Sequence, residues 1–303
     1  MFSIPSILKS KERGNTRNNK LTVIREDTQE IEEPVKNYNF DEREINSNII
    51  SFFSFKGGVG KSVYAVNLAS ELALTFTSKR VALVDLNFYN PDIATILKIE
   101  LVKSKLIKNY FQNSSIEIED IANKYEGISN IDVFTSDFDL SWVSLLSEIT
   151  ITRFIKELKL RYDYIVIDTH PALDLVSTFI PMKLSSNVVC VITPEVLALR
   201  NSEKEKFEYL RKIGIVSKIN IILSKFKEGT FITKNIVEQE TGIKNIVCIT
   251  ENSGLILDSV NKGIPFVLTK TKDSSLDKMR GEFSKIVSAI SDIDIDEIKS
   301  RYK

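Results

Sequence analysis

Residues 48 to 62 read NIISFFSFKGGVGKS, an apolar run that leads into a glycine-rich turn and then into a helix-like segment. An apolar run of this length is typical of a buried strand. Glycines let consecutive backbone N–H groups curl around phosphate oxygens, and the N-terminus of the following helix adds positive partial charge. The pattern therefore predicts a phosphate-binding loop in which Lys61 contacts the β- and γ-phosphates and the Ser62 hydroxyl ligates Mg²⁺. A glycine turn that binds nothing is the alternative, and the flanking strand and helix count against it.

The loop itself, KGGVGKS at positions 56–62, matches a narrower pattern than phosphate-binding loops in general. It resembles the deviant Walker A box of the ParA/MinD family of ATPases. The resemblance implies ATP and Mg²⁺ as cofactors and a contiguous set of nucleotide-binding residues: Lys56, Gly57, Gly58, Val59, Gly60, Lys61, Ser62 and Val63. It also implies two catalytic lysines, Lys61 and Lys56, the second of which reaches the phosphates bound by a partner subunit, as an arginine finger does. Without the resemblance, Lys56 is interpreted as a solvated lysine at a strand end.

An aspartate, Asp168, ends the strand-like run YDYIVID, residues 162–168. Ligands of open α/β sheets gather at the carboxyl ends of the strands, so a carboxylate there, downstream of a phosphate-binding loop, is typical of a Walker B aspartate. Asp168 is therefore predicted to orient Mg²⁺ or its waters. A carboxylate that caps a helix N-terminus is the alternative.

The run VALVDLNFYNPD, residues 81–92, resembles the switch I segment of the family, which is usually written Asp-x-Asp. Asp85 matches the first carboxylate and is predicted to lie near the metal. Asn87 stands where the second carboxylate would orient or activate the attacking water, and it is the third predicted catalytic residue. An amide positions water through its carbonyl oxygen but does not accept a proton as a carboxylate does. Hydrolysis is therefore expected to be slow or to depend on a partner. The amide does not by itself abolish activity, because phosphoryl transfer depends mainly on positioning and electrostatics.

The segment INIILSK, residues 219–225, occupies the place of a family strand that ends in Asn-Arg or Asn-Lys and contacts the base. Ser224 replaces that asparagine and is the predicted cofactor-binding residue at the base. A hydroxyl reaches less far and makes fewer hydrogen bonds than an amide, so adenine preference is implied by the resemblance alone. Residues 251–254 and 260–265 resemble the loop and helix that border the base in this family.

Downstream of residue 48, short apolar runs alternate with longer amphipathic segments, the pattern of a parallel sheet flanked by helices. We predict a doubly wound, mainly parallel α/β fold of the P-loop NTPase type. The predicted strands are Ile49–Phe55, Arg80–Leu86, Ile131–Thr135, Tyr164–Asp168, Asn187–Ile192, Ile219–Leu223 and Asn245–Ile249. The predicted helices are Val63–Thr75, Ser144–Leu160, Glu195–Ile213, Ile232–Gln239, Leu255–Lys262 and Leu276–Ile290. Leu101–Tyr125 is predicted to form short helices outside the sheet.

The 303 residues divide by composition into three predicted segments. Residues 1–47 are a polar leader, basic and Asn-rich at first and mostly acidic later, and are predicted to be disordered. A short interfacial anchor formed by the first residues is the alternative. Residues 48–290 are the predicted ATPase domain. Residues 291–303 are an acidic C-terminal tail, whose charge opposes binding to an anionic bilayer.

The composition is typical of an intracellular protein, with 41 basic and 41 acidic side chains and two cysteines that lack metal-ligand spacing. We predict a cytoplasmic location, with peripheral contact to the inner face of the membrane as an alternative. The basic residues between Lys204 and Lys218 alternate with glutamates, which favours an ion-paired helix face over a nucleic-acid interface. His170, the only histidine, is interpreted as a surface-loop residue.

The similarity extends over nearly all of residues 48–290, and residues 92–95 and 193–202 resemble most the MinD branch and the pilus-assembly proteins CpaE and TadZ. The resemblance implies a bacterial ATPase switch that forms a homodimer in the ATP state, binds a protein partner, and positions or assembles a cell-surface or division apparatus. Asn87 leaves a second class open, an ATP-loaded scaffold that does not hydrolyse its nucleotide. A DNA-partitioning ATPase is a minor alternative.

Overall fold

The computed structural model describes residues 48–195, 201–291 and 293–302. The strands in this part of the chain are β1 (Asn48–Phe53), β2 (Val81–Asp85), β3 (Asn123–Lys124), β4 (Ile131–Phe134), β5 (Tyr164–Asp168), β6 (Asn187–Ile192), β7 (Ile219–Phe226) and β8 (Ile246–Thr250). The helices are α1 (Lys61–Thr75), α2 (Ile93–Leu97), α3 (Ile107–Gln112), α4 (Glu148–Lys159), α5 (Val176–Leu184), α6 (Asn201–Lys212), α7 (Lys234–Thr241), α8 (Ser253–Lys262), α9 (Ser274–Ser291) and α10 (Ile295–Ser300).

The eight strands form one sheet in the order β3-β4-β2-β5-β1-β6-β7-β8. Every neighbouring pair is parallel except β3 with β4. In β1, Ser51 lies opposite Ile167 of β5 on one side and Val188 of β6 on the other. The chain proceeds to one side of β1 through β2, β4 and β5 and to the other side through β6 to β8, which opens a crevice at the carboxyl end of β1. The predicted doubly wound, mainly parallel fold is confirmed.

Helices cover both faces of the sheet, so the central strands are apolar on both sides. In β5, Val166 packs into the cluster built with α1 and α9, whereas Ile165 and Ile167 pack into the opposite cluster with α4. This alternation is the period of two that a strand imposes on its side chains. Trp142 is 1% exposed and lies edge-on to Phe88, with 4.6 Å between the ring centroids.

Local capping signals account for the bounds of several helices. α4 begins after Ser147 and not at the predicted Ser144, because the Ser147 hydroxyl accepts a hydrogen bond from the Thr150 N–H and the Thr150 hydroxyl accepts one from the Ser147 N–H. α7 and α8 end at Gly242 and Gly263, both in the left-handed conformation that closes helices.

The structure differs from the predicted elements at several points. Residues 101–125 form short helices as predicted, but they also contain β3, which pairs antiparallel with β4 at the edge of the sheet. α2 and α5 are absent from the predicted elements, because α2 has only five residues and Pro181 interrupts the pattern of α5. The predicted leader, residues 1–47, and the first part of the predicted helix Glu195–Ile213 lie outside the described residues.

The predicted acidic tail contains α10, which packs on the domain. Ile298 of α10 is fully buried. The Tyr302 hydroxyl donates a hydrogen bond of 2.6 Å to Glu71, a buried residue of α1, and Arg301 forms an ion pair with the same carboxylate at 3.2 Å. In the described part of the chain, no helix combines the length and the apolar character needed to cross a membrane.

Ile298→Ala is expected to lower the free energy of unfolding by about 2 to 5 kcal/mol, because deleting a buried isoleucine side chain leaves a cavity. Ile149→Ala removes the same atoms from a side chain that is 79% exposed. We expect it to change stability by less than about 0.5 kcal/mol. Equilibrium denaturation in urea measures both values, and equally small effects would show that α10 does not pack on the domain in solution.

Candidate functional site

The predicted phosphate-binding loop connects the end of β1 to the start of α1 at the carboxyl edge of the sheet. Gly58 and Gly60 have φ angles of 74° and 95°, a conformation that residues with side chains rarely adopt. A Cβ atom added at Gly57 or Gly58 would meet no other atom within 4 Å. The space beside these glycines is open, as a loop that receives phosphate groups requires.

Lys61 and Ser62, the first residues of α1, both contact the carboxylate of Asp168. The Lys61 Nζ donates to one carboxylate oxygen, and the Ser62 Oγ donates to the other at 2.5 Å. Lys61 is 6% exposed and Asp168 is fully buried, so this ion pair is shielded from bulk water. The next helix, α5, begins at Val176, so Asp168 does not cap it and the alternative interpretation of this aspartate is excluded.

Asp85, the last residue of β2, lies opposite Asp168 in the register of β2 and β5. Its carboxylate accepts hydrogen bonds from the backbone N–H groups of Asn87 and Ile93, each at 3.0 Å. Burial raises the pKa of the Asp85 carboxyl well above its ordinary value, and the nearby Asp168 carboxylate raises it further. The nucleotide-free site therefore resists a second negative charge at Asp85 unless a further cation enters.

These groups fit a magnesium ion that arrives with a nucleotide. Ser62, Asp85 and Asp168 provide the hydroxyl and carboxylate oxygens that Mg²⁺ prefers, and a nucleotide-bound Mg²⁺ needs only one or two protein ligands. A dication would favour the ionised form of Asp85, because it would offset the second negative charge that the buried site otherwise resists. The metal-binding roles of these three residues stay predictions.

Asn87 lies at the site with its amide group in a defined orientation. The residue is 5% exposed, and its Nδ2 donates to the backbone oxygen of Asn90 at 2.8 Å. Its Oδ1 is buried and has no hydrogen-bond partner within the described residues. A buried carbonyl oxygen without a donor costs free energy until a donor reaches it. Asn87 thus holds an unused acceptor at the site, and its predicted role in orienting water stays a prediction.

Lys56 forms an ion pair within its own protomer. Its Nζ lies 2.5 Å from Oε2 of Glu195, and the two side chains are 42% and 52% exposed. The hydrogen bond from Lys56 lowers the pKa of the Glu195 carboxyl. Exposed ion pairs contribute at most about 1 kcal/mol to stability. Lys56 can leave Glu195 at little cost, which is compatible with its predicted contact to a partner subunit.

Ser224 lies beneath the loop and not on an open surface. It is fully buried, and its hydroxyl lies within hydrogen-bond distance of the Val59 backbone oxygen, at 2.9 Å, and of the Ile192 backbone oxygen, at 3.1 Å. These contacts attach the loop to β6 and β7. The predicted contact of Ser224 with the base is a different role, and it stays a prediction.

Glu195 and His170 lie at the site although the sequence interpretation left them outside it. Glu195 follows β6, a neighbour of β1. Residues that follow neighbouring parallel strands gather at the same edge of the sheet, and this rule could have placed Glu195 at the site. His170 is half-buried and packs against Tyr89, with 5.2 Å between the ring centroids, which joins the loop after β5 to the switch I segment. Burial and the Lys61 ammonium lower the pKa of His170, which favours the neutral imidazole.

The fold and the loop together define the class of this protein, a P-loop nucleotide-binding α/β protein. Residues 47–221 match the AAA_31 family model, which is described as an AAA domain. The ParA family protein of Mycoplasma pneumoniae is 30% identical to this chain over 199 residues, which are 57% of this chain and 72% of that relative. The chain belongs to the ParA/MinD family of ATPases.

Solved structures of relatives share the fold. The septum site-determining protein MinD of Pyrococcus horikoshii, complexed with Mg-ADP, has a TM-score of 0.67 at 22% identity and covers 84% of this chain and 98% of its own. A chain of the MinC:MinD cell division complex of Aquifex aeolicus has a TM-score of 0.64 at 19% identity, covering 84% of this chain and 95% of its own. At these identities the likeness shows the fold.

Asp85→Asn is expected to change how stability depends on pH. The folded-state pKa of Asp85 is raised above its unfolded value, which is about 3.9. Protonated Asp85 therefore contributes to the stability of the folded protein when the pH is below the unfolded pKa. This contribution is lost as the pH rises through the folded-state pKa. The amide cannot ionise, so the free energy of unfolding of the nucleotide-free variant should fall less with rising pH than that of the wild type. Urea denaturation across this pH range measures the difference.

Asp258→Asn is the matched control, because Asp258 is 49% exposed and pairs with Lys262 of its own helix. Its pH profile should run parallel to that of the wild type. A parallel profile for Asp85→Asn as well would contradict the raised pKa.

Proposed function

We propose that this protein is a dimerising ATPase switch of the ParA/MinD type. It binds Mg-ATP, forms a homodimer in the ATP state, and hydrolyses ATP slowly or only when a protein partner is bound. The convergence of Lys61, Ser62 and Asp168 beneath an open glycine loop carries this proposal. The proposed cellular use is the positioning or assembly of a cell-surface or division apparatus, from the cytoplasm of a bacterium.

The proposed binding of Mg-ATP depends on the glycine loop and the buried carboxylates. Lys61 and the loop N–H groups would bind the phosphates, and Ser62, Asp85 and Asp168 would hold Mg²⁺. When bound, the metal supplies positive charge to the phosphate oxygens. Asn87 would orient the attacking water through Oδ1, but this amide cannot remove the proton of the water.

The proposed dimerisation depends on Lys56. In the single protomer its ammonium rests on Glu195 at the carboxyl edge of the sheet, beside the loop. In a dimer that joins two such edges, Lys56 would exchange this exposed carboxylate for the phosphates of the facing subunit. A cation supplied in trans stabilises charge that develops during phosphoryl transfer, so dimerisation and the nucleotide state become coupled.

Asn87 favours a second candidate function, an ATP-loaded scaffold that dimerises without turnover. The Asn87 amide is held by the Asn90 backbone oxygen, and its position in switch I offers no carboxylate base. Under either candidate function, the protein would bind nucleotide and a protein partner, and peripheral contact with the membrane is compatible with both. On α6, Lys204 pairs with Glu240 and Arg211 with Glu208, which favours a solvated helix face over a nucleic-acid interface.

ATP turnover by the purified protein with Mg²⁺ distinguishes the two functions. We expect slow phosphate release by the wild type and an increase of about 10²-fold in Asn87→Asp, which is the lower end of the contribution of a positioned base. Lys61→Ala is the negative control, because it removes the phosphate-binding ammonium. Protein concentrations should be high enough to populate a dimer.

Turnover that is measurable only in Asn87→Asp would support the scaffold, or a partner that supplies the missing group. Equal turnover by both proteins would show that the amide suffices. No turnover by either protein, or turnover retained in Lys61→Ala, would contradict the ATPase proposal.

Lys56→Ala is expected to leave ATP binding intact and to abolish ATP-dependent dimerisation, because the cation supplied to the partner subunit is lost. Sedimentation velocity with and without ATP measures the dimer. Lys79→Ala is the matched control, since Lys79 forms a comparable exposed ion pair with Asp163 at 2.9 Å, at the other end of the sheet. An unchanged dimer in Lys56→Ala would contradict the role in trans.

A further inference from the structure

Two consecutive residues of β7 hydrogen-bond to the phosphate-binding loop. The Ser224 hydroxyl lies 2.9 Å from the Val59 backbone oxygen, the nearer of its two acceptors, the other being the Ile192 backbone oxygen at 3.1 Å. The Lys225 Nζ donates to the Gly58 backbone oxygen at 2.8 Å. Successive side chains of a regular strand point to opposite faces of the sheet, so two consecutive residues do not ordinarily reach the same loop. A local break in the strand must bring both side chains to it.

The backbone at Lys225 is that break. Lys225 has a φ of 52°, in the left-handed region that residues with side chains rarely adopt. The register between β7 and β8 also shifts between Leu223 and Phe226, which marks a β-bulge. Bulges re-aim side chains, and strained backbone persists only where its surroundings hold it. The bulge therefore accounts for two consecutive side chains reaching one loop.

The two hydrogen bonds determine where the loop N–H groups point. A trans peptide is planar with its N–H opposite its C=O, and the described residues contain no cis peptide bond. Holding the Gly58 carbonyl toward β7 therefore points the Val59 N–H away from β7. Holding the Val59 carbonyl toward β7 does the same for the Gly60 N–H. Both N–H groups are thus directed to the side of the loop that faces away from β7.

This arrangement is that of an anion-binding nest. Successive N–H groups converge when left-handed and right-handed residues alternate. Gly58 and Gly60 have positive φ angles, and Val59 between them does not. Within the described residues, neither the Val59 nor the Gly60 N–H donates to a backbone carbonyl. The two N–H groups are available to a ligand with negatively charged oxygens.

We propose that Ser224 and Lys225 are positioning residues that orient the Val59 and Gly60 N–H groups toward the phosphates of the bound nucleotide. We call this pair the β7 brace. The inference rests on the proposed nucleotide binding, and it assigns to β7 the role of orienting the N–H groups of the phosphate-binding loop. The Lys225 ammonium also adds positive charge beside the loop, which favours phosphate binding.

Substitutions at Lys225 test the brace in the full-length protein, with Mg-ADP as the probe in calorimetric titrations. Lys225→Met and Lys225→Gly should each weaken Mg-ADP binding by about tenfold, the effect of losing a hydrogen bond from a charged group. Lys225→Arg keeps a cationic donor and should restore most of the affinity. Ser224→Ala, which removes the other hydrogen bond, should weaken binding as Lys225→Met does.

Thermal unfolding without nucleotide separates positioning from a purely structural role. Glycine adopts a positive φ without strain, so Lys225→Gly should melt at the wild-type temperature or above it while binding Mg-ADP more weakly. Lys98 provides matched controls, because its φ is also 52° and it lies at the C-terminal end of α2 rather than on β7. Lys98→Gly and Lys98→Met should keep the wild-type affinity.

Wild-type affinity in both Lys225→Met and Lys225→Gly would overturn the brace. A melting temperature of Lys225→Gly that falls together with its affinity would also overturn it, because a structural defect then explains both losses. Failure of the proposed function looks different, since the wild type itself would bind no Mg-ADP and Lys61→Ala would not differ from it. In that case the brace falls with the function.

Discussion

The buried contact of Lys61 and Ser62 with Asp168 is the constraint on which the rest of the structure depends. It joins the first turn of α1 to the last residue of β5, and β5 is a direct neighbour of β1. Charges withdrawn from water are stable only when they are paired in fixed geometry, and removing one partner of such a pair costs about 3 to 5 kcal/mol. The loop between β1 and α1 is therefore held at both ends, by the sheet at Phe53 and by the ion pair at Lys61.

The C-terminal part of the chain supports this constraint through α1, which is buried at eleven of its fifteen residues. Two of its buried polar residues, Asn67 and Glu71, are satisfied by later segments of the chain. Asn67 accepts a hydrogen bond from the Val267 N–H at 3.1 Å, and Glu71 accepts one from the Tyr302 hydroxyl. Buried polar groups without partners are costly, so these contacts oppose any tilt or slip of α1. The last residues thus stabilise the helix whose N-terminus faces the phosphate site.

Features that depend on local patterns could be predicted from the sequence. The central strands, the glycine loop and the position of Asp168 follow from apolar runs, from glycines and from the rule that functional groups gather at the carboxyl ends of parallel strands. The pairing of Lys56 with Glu195 could not be predicted, because it joins residues that are 139 positions apart and depends on β6 lying beside β1. The left-handed backbone of Lys225 could not be predicted either, since neither apolar pattern nor residue type favours it. Ser224 was located at the site, but its hydrogen bonds to the loop backbone depend on burial that no local pattern encodes.

Asn87 is best understood from the electrostatics of its surroundings. Asp85 and Asp168 are fully buried and lie opposite each other in adjacent strands. The buried Lys61 ammonium contacts Asp168 directly and acts on Asp85 as a nearby positive charge. A carboxylate at position 87 would add a further acidic group to a region where burial and Asp168 already disfavour ionisation of Asp85. The amide adds no such group and still presents an acceptor oxygen. Its cost falls on the chemistry, because an amide cannot take the proton of the attacking water. Under the proposed function, the amide keeps a further acidic group out of the nucleotide-free site and lowers the rate of hydrolysis. That balance would suit a protein whose nucleotide state persists until a partner arrives.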